Sequence, residues 1–344
     1  MKTIMKKRIT LSMLLMVSVL FAQEETKEKK LSISGSVDAY YRANLNAPND
    51  LDNWTAPGSS FANLPGFALG MANVVASYKG EKVGFVADLV FGPRGTDAVF
   101  ASPMYSATGN IINQLYAYWN VSESVTLTMG NFNTFLGYEV ISPTGNFNYS
   151  TSYLFSYGPF SHTGLKADFA LGDDLSLMLA VMNDTDLTEF NPTGDYAVGA
   201  QLGFYGQYLN VLVDPSFFEI DFTGGFDVSE SFFLGINGAY LSGEDDGPGF
   251  YGVALYPQLA TSESFTIGLR GEYFAEDKEF GAIGTGVEDS SVFALTLTGS
   301  FAVDNLTIKP ELRLDSVSDD AFLDNDLNMQ KSLSSFVLAA IYSF

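Results

Sequence analysis

The feature that most constrains the fold is a two-residue alternation that separates charged from large apolar side chains. In the stretch 306–315, one face carries Leu306, Ile308, Leu312 and Leu314, and the other carries Thr307, Lys309, Glu311, Arg313 and Asp315. Successive side chains of a β-strand point to opposite faces, so this is the period of a strand. Unpaired charges are very costly in a dry core. The charged face is therefore expected to be wet, and the opposite face to carry the apolar groups.

The same alternation recurs along the chain and predicts an all-β protein. Val292–Val303 and Phe265–Tyr273 show it clearly, the latter with Arg270 and Glu272 on its polar face. Pro215 interrupts one strand-like run, and for this reason fourteen strands is the alternative count. The pattern predicts sixteen strands, near 31–45, 67–79, 83–92, 111–121, 125–132, 162–171, 175–183, 195–206, 208–214, 217–228, 231–242, 250–260, 265–275, 291–303, 306–316 and 331–344.

The connections between these strands fall into two classes. Short turns such as 121–124, 228–231 and 261–264 alternate with longer polar loops, of which 133–161 is the longest. Short turns on one side and long loops on the other are typical of transmembrane barrels. A sheet in lipid has to close, because every backbone polar group needs a partner. The predicted fold is a transmembrane antiparallel up-and-down β-barrel, which at about sixteen strands leaves an aqueous channel.

The first 22 residues have the layout of a secretory signal peptide. Basic residues at positions 2, 6, 7 and 8 precede the short apolar stretch Leu11–Phe21, and the chain turns polar at Gln23. The apolar stretch is too short to span a bilayer, which takes about 20 residues. We therefore expect residues 1–22 to be removed on export, residues 23–30 to form a short polar periplasmic segment and residues 31–344 to form the barrel.

The composition argues against several classes of function. The net charge is −23, and removing the four positive charges of the first 22 residues makes it −27, so the chain should not bind nucleic acid through its phosphates. With no cysteine and one histidine, thiolate or histidine-based metal sites are not expected. Asp324-x-Asp326-x-Asn328 begins like a Ca²⁺ loop but lacks the glycine and the final glutamate of that motif. No metal or cofactor is predicted.

One part of the sequence, from about 129 to 183, carries a dense motif. It reads Gly130-x-Phe132-x-Thr134-x-x-Gly137-x-Glu139, then Asn148-Tyr149-Ser150-x-Ser152, then Gly158-Pro159-Phe160-x-His162-x-Gly164. This pattern resembles the OmpL-like putative β-barrel porin-2 family of bacterial outer-membrane proteins, and Ser34–Tyr41 looks like the start of that family. Asn183-Asp184 departs from it, since a Gly-Trp tends to follow that asparagine in the family. The resemblance implies passive channel activity and names no solute.

His162 is the only histidine, and it follows a stretch rich in serine. A serine nucleophile needs a base and a group that orients the base, but no Gly-x-Ser-x-Gly elbow is present. Two other readings stay open. Alternation places His162, Lys166 and Asp168 on the lumen face of a strand, whereas a purely structural histidine would hydrogen-bond within the loop.

We expect the connection 133–161 to fold inward and narrow the channel. Its glycines and Pro159 permit sharp bends, and its many aromatic side chains need a wall to pack on. Fold-level analogy with the third loop of general porins points the same way. The candidate lining and constriction residues are Glu139, Asn148, Tyr149, Ser150, Ser152 and His162, with Asp38, Arg42, Lys166, Asp168, Arg270, Glu272, Lys309, Glu311 and Arg313 on strands facing one another across water.

The function that fits these features best is passive diffusion of small hydrophilic solutes or ions through an outer-membrane barrel. The alternatives are a barrel hydrolase with His162 as base, and an occluded structural or adhesive barrel whose acidic surface loops bind a partner. The terminal strand alternates apolar residues and ends in Phe344, which is typical of the signal that the barrel-assembly machinery recognises. Outer-membrane lipid and lipopolysaccharide are the other expected partners, and homo-oligomerisation is left open.

Overall fold

The computed structural model describes residues 31–99 and 111–344. The predicted signal peptide, 1–22, and the predicted periplasmic segment, 23–30, lie outside the described residues. The predicted loop after the third strand is described only in part, because residues 100–110 also lie outside them.

Sixteen antiparallel strands form one closed barrel, as the alternation predicted. The apparent break at Pro215 is a tight turn between two strands, so the alternative of fourteen is wrong. The barrel strands are β1 (Leu31–Asn44), β2 (Gly66–Lys79), β3 (Val83–Phe91), β4 (Ile112–Asn120), β5 (Val125–Asn133), β6 (Ser161–Ala170), β7 (Leu175–Met182), β8 (Ala197–Phe204), β9 (Gln207–Val213), β10 (Phe217–Asp227), β11 (Phe232–Gly243), β12 (Gly247–Ser262), β13 (Phe265–Asp277), β14 (Ser291–Val303), β15 (Leu306–Val317) and β18 (Ser332–Ser343).

The remaining elements are short and lie in the connections. Two-residue strands β16 (Phe322–Leu323) and β17 (Met329–Gln330) pair in a separate small hairpin before β18. The helices are α1 (Pro93–Ala98) and α2 (Tyr153–Tyr157), with one 3₁₀ turn at Glu244–Asp246. Among the described residues, no helix is long and apolar enough to cross a membrane.

The barrel closes where its first and last strands meet. β1 pairs with β2 on one edge and with β18 on the other, from Ser36↔Ser343 to Asn44↔Ser335. The chain terminus continues this ladder, since Phe344 N–H donates to Gly35 O at 3.0 Å and Gly35 N–H donates to Phe344 O at 3.1 Å. Closure therefore satisfies the backbone groups that the two edge strands would otherwise leave unpaired.

Burial along the strands is inverted relative to a soluble protein. In β15, Leu312 is 49% exposed and Leu314 is 41% exposed, whereas Glu311 and Asp315 are at most 1% exposed. The apolar face therefore looks outward, as a lipid-facing wall requires. The charged face is not wet as the alternation alone had led us to expect, because a part of the chain covers it from inside.

Candidate functional site inside the barrel

The connection between β5 and β6, residues 134–160, lies inside the barrel, and we call it the lumen segment. Tyr153 is fully buried and Tyr149 is 1% exposed, although both belong to a connection rather than to the wall. Tyr153 and Leu154 pack in one apolar cluster with Phe250 and Phe274, two aromatic side chains of β12 and β13. The segment thus fills the interior on that side, in agreement with its predicted inward course.

Carboxylates of the barrel wall accept hydrogen bonds from backbone N–H groups of the lumen segment. Glu311 accepts hydrogen bonds from the N–H groups of Tyr149 at 2.9 Å and Ser150 at 3.2 Å, and also from the Ser150 hydroxyl. Glu272 accepts from the N–H groups of Tyr153 at 3.0 Å and Leu154 at 2.8 Å. These N–H groups begin α2 and have no partner within the helix. The two wall carboxylates therefore fix the middle of the segment.

Cations of the wall bind the carbonyl groups of the same stretch. Arg270 donates to Ser150 O at 2.6 Å and to Thr151 O at 3.1 Å, and Arg313 donates to Thr151 O at 2.9 Å. Lys309 Nζ donates to Asn146 O at 2.5 Å. Buried backbone polar groups need partners, and here charged strand side chains supply them. The arrangement uses both signs of charge to hold an irregular backbone inside the barrel.

Side-chain hydrogen bonds add a second set of attachments. Asn148 Nδ2 donates to Thr298 Oγ1 at 2.7 Å, and the Tyr149 hydroxyl donates to Asp38 Oδ2 at 2.5 Å. Ser152 caps the first turn of α2, because its Oγ accepts from Phe155 N–H at 3.0 Å. Its own hydroxyl and N–H both donate to Glu139, at 2.6 and 2.7 Å. Such a capping hydroxyl typically stabilises a helix by about 1 kcal/mol.

The predicted site residues therefore separate into two groups. Glu139, Asn148, Tyr149, Ser150 and Ser152 lie together with Asp38, Arg270, Glu272, Lys309, Glu311 and Arg313, all buried. Elsewhere, Lys166 and Asp168 form an ion pair of 2.9 Å on β6. Arg42 is buried on β1, and its Nη1 donates to Asn63 O at 3.4 Å. Whether these residues govern passage stays a prediction.

His162 is the second residue of β6 and is fully buried. Its Nε2 lies 3.1 Å from Thr134 Oγ1, and its ring centroid lies 5.3 Å from that of Phe135. This hydrogen bond joins the start of the lumen segment to the wall. It is made to a threonine and to none of the serines that the hydrolase alternative required.

The sequence analysis did not identify the wall glycines against which aromatic side chains of the lumen segment pack. A β-carbon added at Gly199 of β8 would lie 2.5 Å from Phe135 Cζ, and one at Gly235 of β11 would lie 2.6 Å from Tyr138 Cζ. One at Gly268 of β13 would lie 2.9 Å from Phe147 Cδ1. Because these three glycines have no side chain, the inner wall has room for the aromatic rings at these positions. Glycine at lumen positions of otherwise regular strands was the available signal, because strand glycines often mark close approach.

Arg94 of α1 was also missed. Its Nε donates to Ile141 O at 2.8 Å and its Nη1 donates to Tyr149 O at 3.1 Å, so it holds the lumen segment from a neighbouring loop. Its guanidinium carbon lies 4.5 Å from the Phe61 ring centroid. No strand pattern marks a loop arginine for such a position.

The lumen segment leaves part of the interior open. A cavity of about 980 Å³ lies beside it, bounded by Tyr116, Thr128, Lys166, Gln201 and Gln258 of the wall, among others. In residues 31–99 and 111–344, no group of three or more histidine, aspartate or glutamate side chains is placed to hold a metal ion. The cavity is therefore bounded by polar and aromatic side chains.

A family model described as "Putative beta-barrel porin-2, OmpL-like" matches residues 30–344. The chain belongs to this porin family. Membership places it in the bacterial outer membrane and confirms the resemblance that the motif in 129–183 indicated. A search of curated proteins finds no match.

Solved outer-membrane channels share the porin's fold at low identity. The outer membrane channel DcaP of Acinetobacter baumannii is 14% identical, with a TM-score of 0.58, covering 91% of this chain and 97% of that one. An anion-selective porin from Comamonas acidovorans is 11% identical, with a TM-score of 0.57, covering 91% and 99%. Salmonella typhi OmpF, solved with daunomycin, is 10% identical, with a TM-score of 0.58, covering 91% and 97%. These likenesses bear on the fold alone.

Proposed function

We propose that this porin passes small hydrophilic solutes by passive diffusion and that the lumen segment sets the width of the passage. The observation that carries the proposal is the cavity of about 980 Å³ that remains inside the closed barrel beside the segment. Sixteen-stranded barrels have an interior too wide for wall side chains alone to fill. Here the lumen segment, packed against the loops that carry Gly58 and Ala282, occupies one side of the interior, and the solute would use the other.

The proposal includes that the porin is not an enzyme. Passive diffusion asks the protein only for a lined passage, and the polar groups of the lumen segment are committed to holding it. Both oxygens of Glu139 are occupied, one by Arg270 and one by Ser152. The hydroxyl of Ser150 donates to Glu311. These groups support a fixed constriction better than a reactive centre.

Single-channel recording tests the proposal directly. Deleting Thr144–Tyr153 removes the stretch that Glu311, Lys309 and Arg270 hold, and we expect the single-channel conductance to rise. The matched control is deletion of Asp324–Leu327, in the turn between β16 and β17 outside the barrel sheet. Heat-modifiable migration on gels would show that each variant still forms a barrel. Unchanged conductance from an assembled deletion variant would rule out a constricting role.

The occluded barrel is the second candidate, because the lumen segment contributes buried apolar side chains to each of four apolar clusters among the described residues. It predicts no conductance from folded wild-type protein in any salt.

The finer partner assignments also remain proposals. Phe344 at the end of the β18 edge supports recognition by the assembly machinery, and exposed loop carboxylates such as Asp246 support cation-bridged contact with lipopolysaccharide. Homo-oligomerisation would be seen by chemical crosslinking in membranes.

A further inference from the structure

The cavity beside the lumen segment has walls with a distinct chemistry. It lies toward the short turns, since Tyr118, Thr126, Ser176, Tyr208 and Phe233, all near those turns, line it. Its other boundary is the lumen segment itself, which contributes aromatic and amide side chains such as Phe147 and Asn146. Its volume of about 980 Å³ falls within the ordinary range for small-molecule sites, about 300–1,000 Å³.

Charge in this cavity is almost entirely neutralised. Besides tyrosines, the titratable residues that line it are Glu139, Lys166, Asp168 and Asp227. Lys166 and Asp168 pair with each other at 2.9 Å, and Glu139 pairs with Arg270 at 2.7 Å. Asp227, exposed at the end of β10, is not in an ion pair with any described residue. An anionic solute therefore meets no unpaired cation here and one unpaired carboxylate.

Neutral hydrogen-bonding groups replace charge along the wall. Three glutamines, Gln114, Gln201 and Gln258, line the cavity together with several hydroxyls. Amide and hydroxyl side chains along the wall favour a ligand that brings many hydroxyls, because a site built to hydrogen-bond hydroxyls discriminates against molecules lacking them.

Aromatic faces complete the lining. Tyr116 and Tyr118 of β4, Tyr208 of β9 and Phe233 of β11 bound the cavity and are only partly buried. An aromatic ring presents a broad apolar face, and the tyrosine hydroxyl adds a polar end. The C–H face of a pyranose ring fits such a surface, while its hydroxyls reach amide groups beside it.

We propose that this cavity is a binding site for uncharged saccharides of one or two sugar units. The inference deepens the proposed function, since it names the solute class of the same passage. Neutral walls, amide and hydroxyl side chains and partly exposed aromatic faces together favour an uncharged polyhydroxyl solute over an ion.

Equilibrium binding tests this without relying on transport. Isothermal titration of maltose into the folded full barrel in detergent should show saturable binding, and lactobionate, an anionic sugar of the same size, should bind at least several-fold more weakly. Tyr208→Ala should weaken maltose binding several-fold, whereas Tyr208→Phe should retain it. Tyr240→Ala is the matched control, because Tyr240 is 43% exposed on the outer face and does not line the cavity.

The outcomes separate this inference from the proposed function. Binding of maltose without any conductance in planar bilayers would overturn the channel and keep the saccharide site. Conductance without maltose binding would overturn the site and keep the channel. Equal affinity for maltose and lactobionate, or equal loss in the Tyr208→Ala and Tyr240→Ala proteins, would also overturn the saccharide site.

Discussion

Arg270 Nη1 lies 2.7 Å from Glu139 Oε1, and both side chains are buried at the contact between β13 and the lumen segment. The same guanidinium donates to two carbonyls of the segment, and the other oxygen of Glu139 accepts from Ser152. A buried ion pair most of whose other polar atoms are hydrogen-bonded avoids much of the desolvation penalty that isolated buried charges suffer. This ion pair and its hydrogen bonds therefore hold the lumen segment in one position against β13 inside the barrel.

Removing one partner of this pair should cost more than removing both. Glu139→Gln leaves Arg270 buried without its countercharge, and we expect the barrel to lose roughly 3–5 kcal/mol of stability. The double variant Glu139→Gln/Arg270→Met should recover part of that loss. Urea unfolding in detergent, with a double-mutant cycle, measures both quantities. The excess positive charge should also shift ion selectivity of the single variant toward anions, as reversal potentials would show. Additive losses would mean that the two side chains do not stabilise each other.

The outer face of β14 gives a prediction about the membrane. Leu297 is 41% exposed and points outward, so Leu297→Arg should destabilise the barrel by roughly 2–4 kcal/mol if it lies near the midplane of the bilayer. Alternation alone would make its neighbour Thr298 a tolerant, wet position. That expectation is wrong, because Thr298 is fully buried and donates to Glu311 at 2.9 Å.

The appropriate tolerant control is Thr126→Arg, since Thr126 lines the open cavity. Folding yields into lipid vesicles compare the variants. If Thr126→Arg impairs folding as much as Leu297→Arg, the wall does not separate lipid from water in the way described.

Asp186 should make stability depend on pH. It lies in the loop between β7 and β8, and its Oδ1 accepts from the N–H groups of Phe160 at 2.8 Å and Ser161 at 2.7 Å, where the lumen segment ends. Burial of the carboxyl group raises the pKa of Asp186 from 3.8 to about 6, against the effect of those two donors, and nearby Asp214 adds to the rise. The folded state then binds the proton more tightly than the unfolded state does. Its contribution to stability is complete below pH 3.8 and is lost as the pH rises through about 6.

Asp186→Asn keeps the acceptor oxygen and removes the titration. The variant should lose the part of the pH dependence between pH 4 and 7 that Asp186 causes, as urea midpoints across that range would report. Asp195→Asn, exposed in the same loop, is the matched control and should keep the wild-type slope. An unaltered slope in Asp186→Asn would assign the dependence to other groups.

The two sides of the membrane can be assigned by labelling. The long loops should face the cell exterior and the short turns the periplasm. Cysteine at Asp246, whose side chain is 95% exposed between β11 and β12, should react with an impermeant maleimide in intact cells. Cysteine at Ser122, exposed in the turn between β4 and β5, should react only after permeabilisation. The opposite pattern would reverse the orientation of the barrel.

The strands could be predicted from sequence because lipid imposes a two-residue period that needs no knowledge of distant contacts. The inner face could be predicted less well. Side chains such as Lys309 and Glu311 alternate correctly, yet their partners are backbone groups 163 and 162 residues away along the chain. Alternation shows that such a side chain points inward and cannot show whether water or another segment meets it there.

The inward course of the lumen segment was predictable from its aromatic content, but its contacts were not. An aromatic residue in a long connection indicates that its ring packs against some surface, but it does not identify the strand that forms this surface. Here the rings pack at Gly199, Gly235 and Gly268, on three separate strands. Only the closed barrel brings these glycines under the segment.

The close contacts between these glycines and the aromatic rings give the sharpest test of the position of the lumen segment. In Gly235→Val, the new side chain would overlap the Tyr138 ring, since even a β-carbon would lie 2.6 Å from its Cζ. The backbone there is buried strand wall that cannot easily shift, so the segment should yield and the single-channel conductance should change. Gly238→Val is the matched control on the same strand, because a β-carbon there meets only Gly252 O, at 3.8 Å. It should leave conductance at the wild-type value. If Gly235→Val assembles and conducts as the wild type does, contact between Tyr138 and β11 does not hold the segment at the passage.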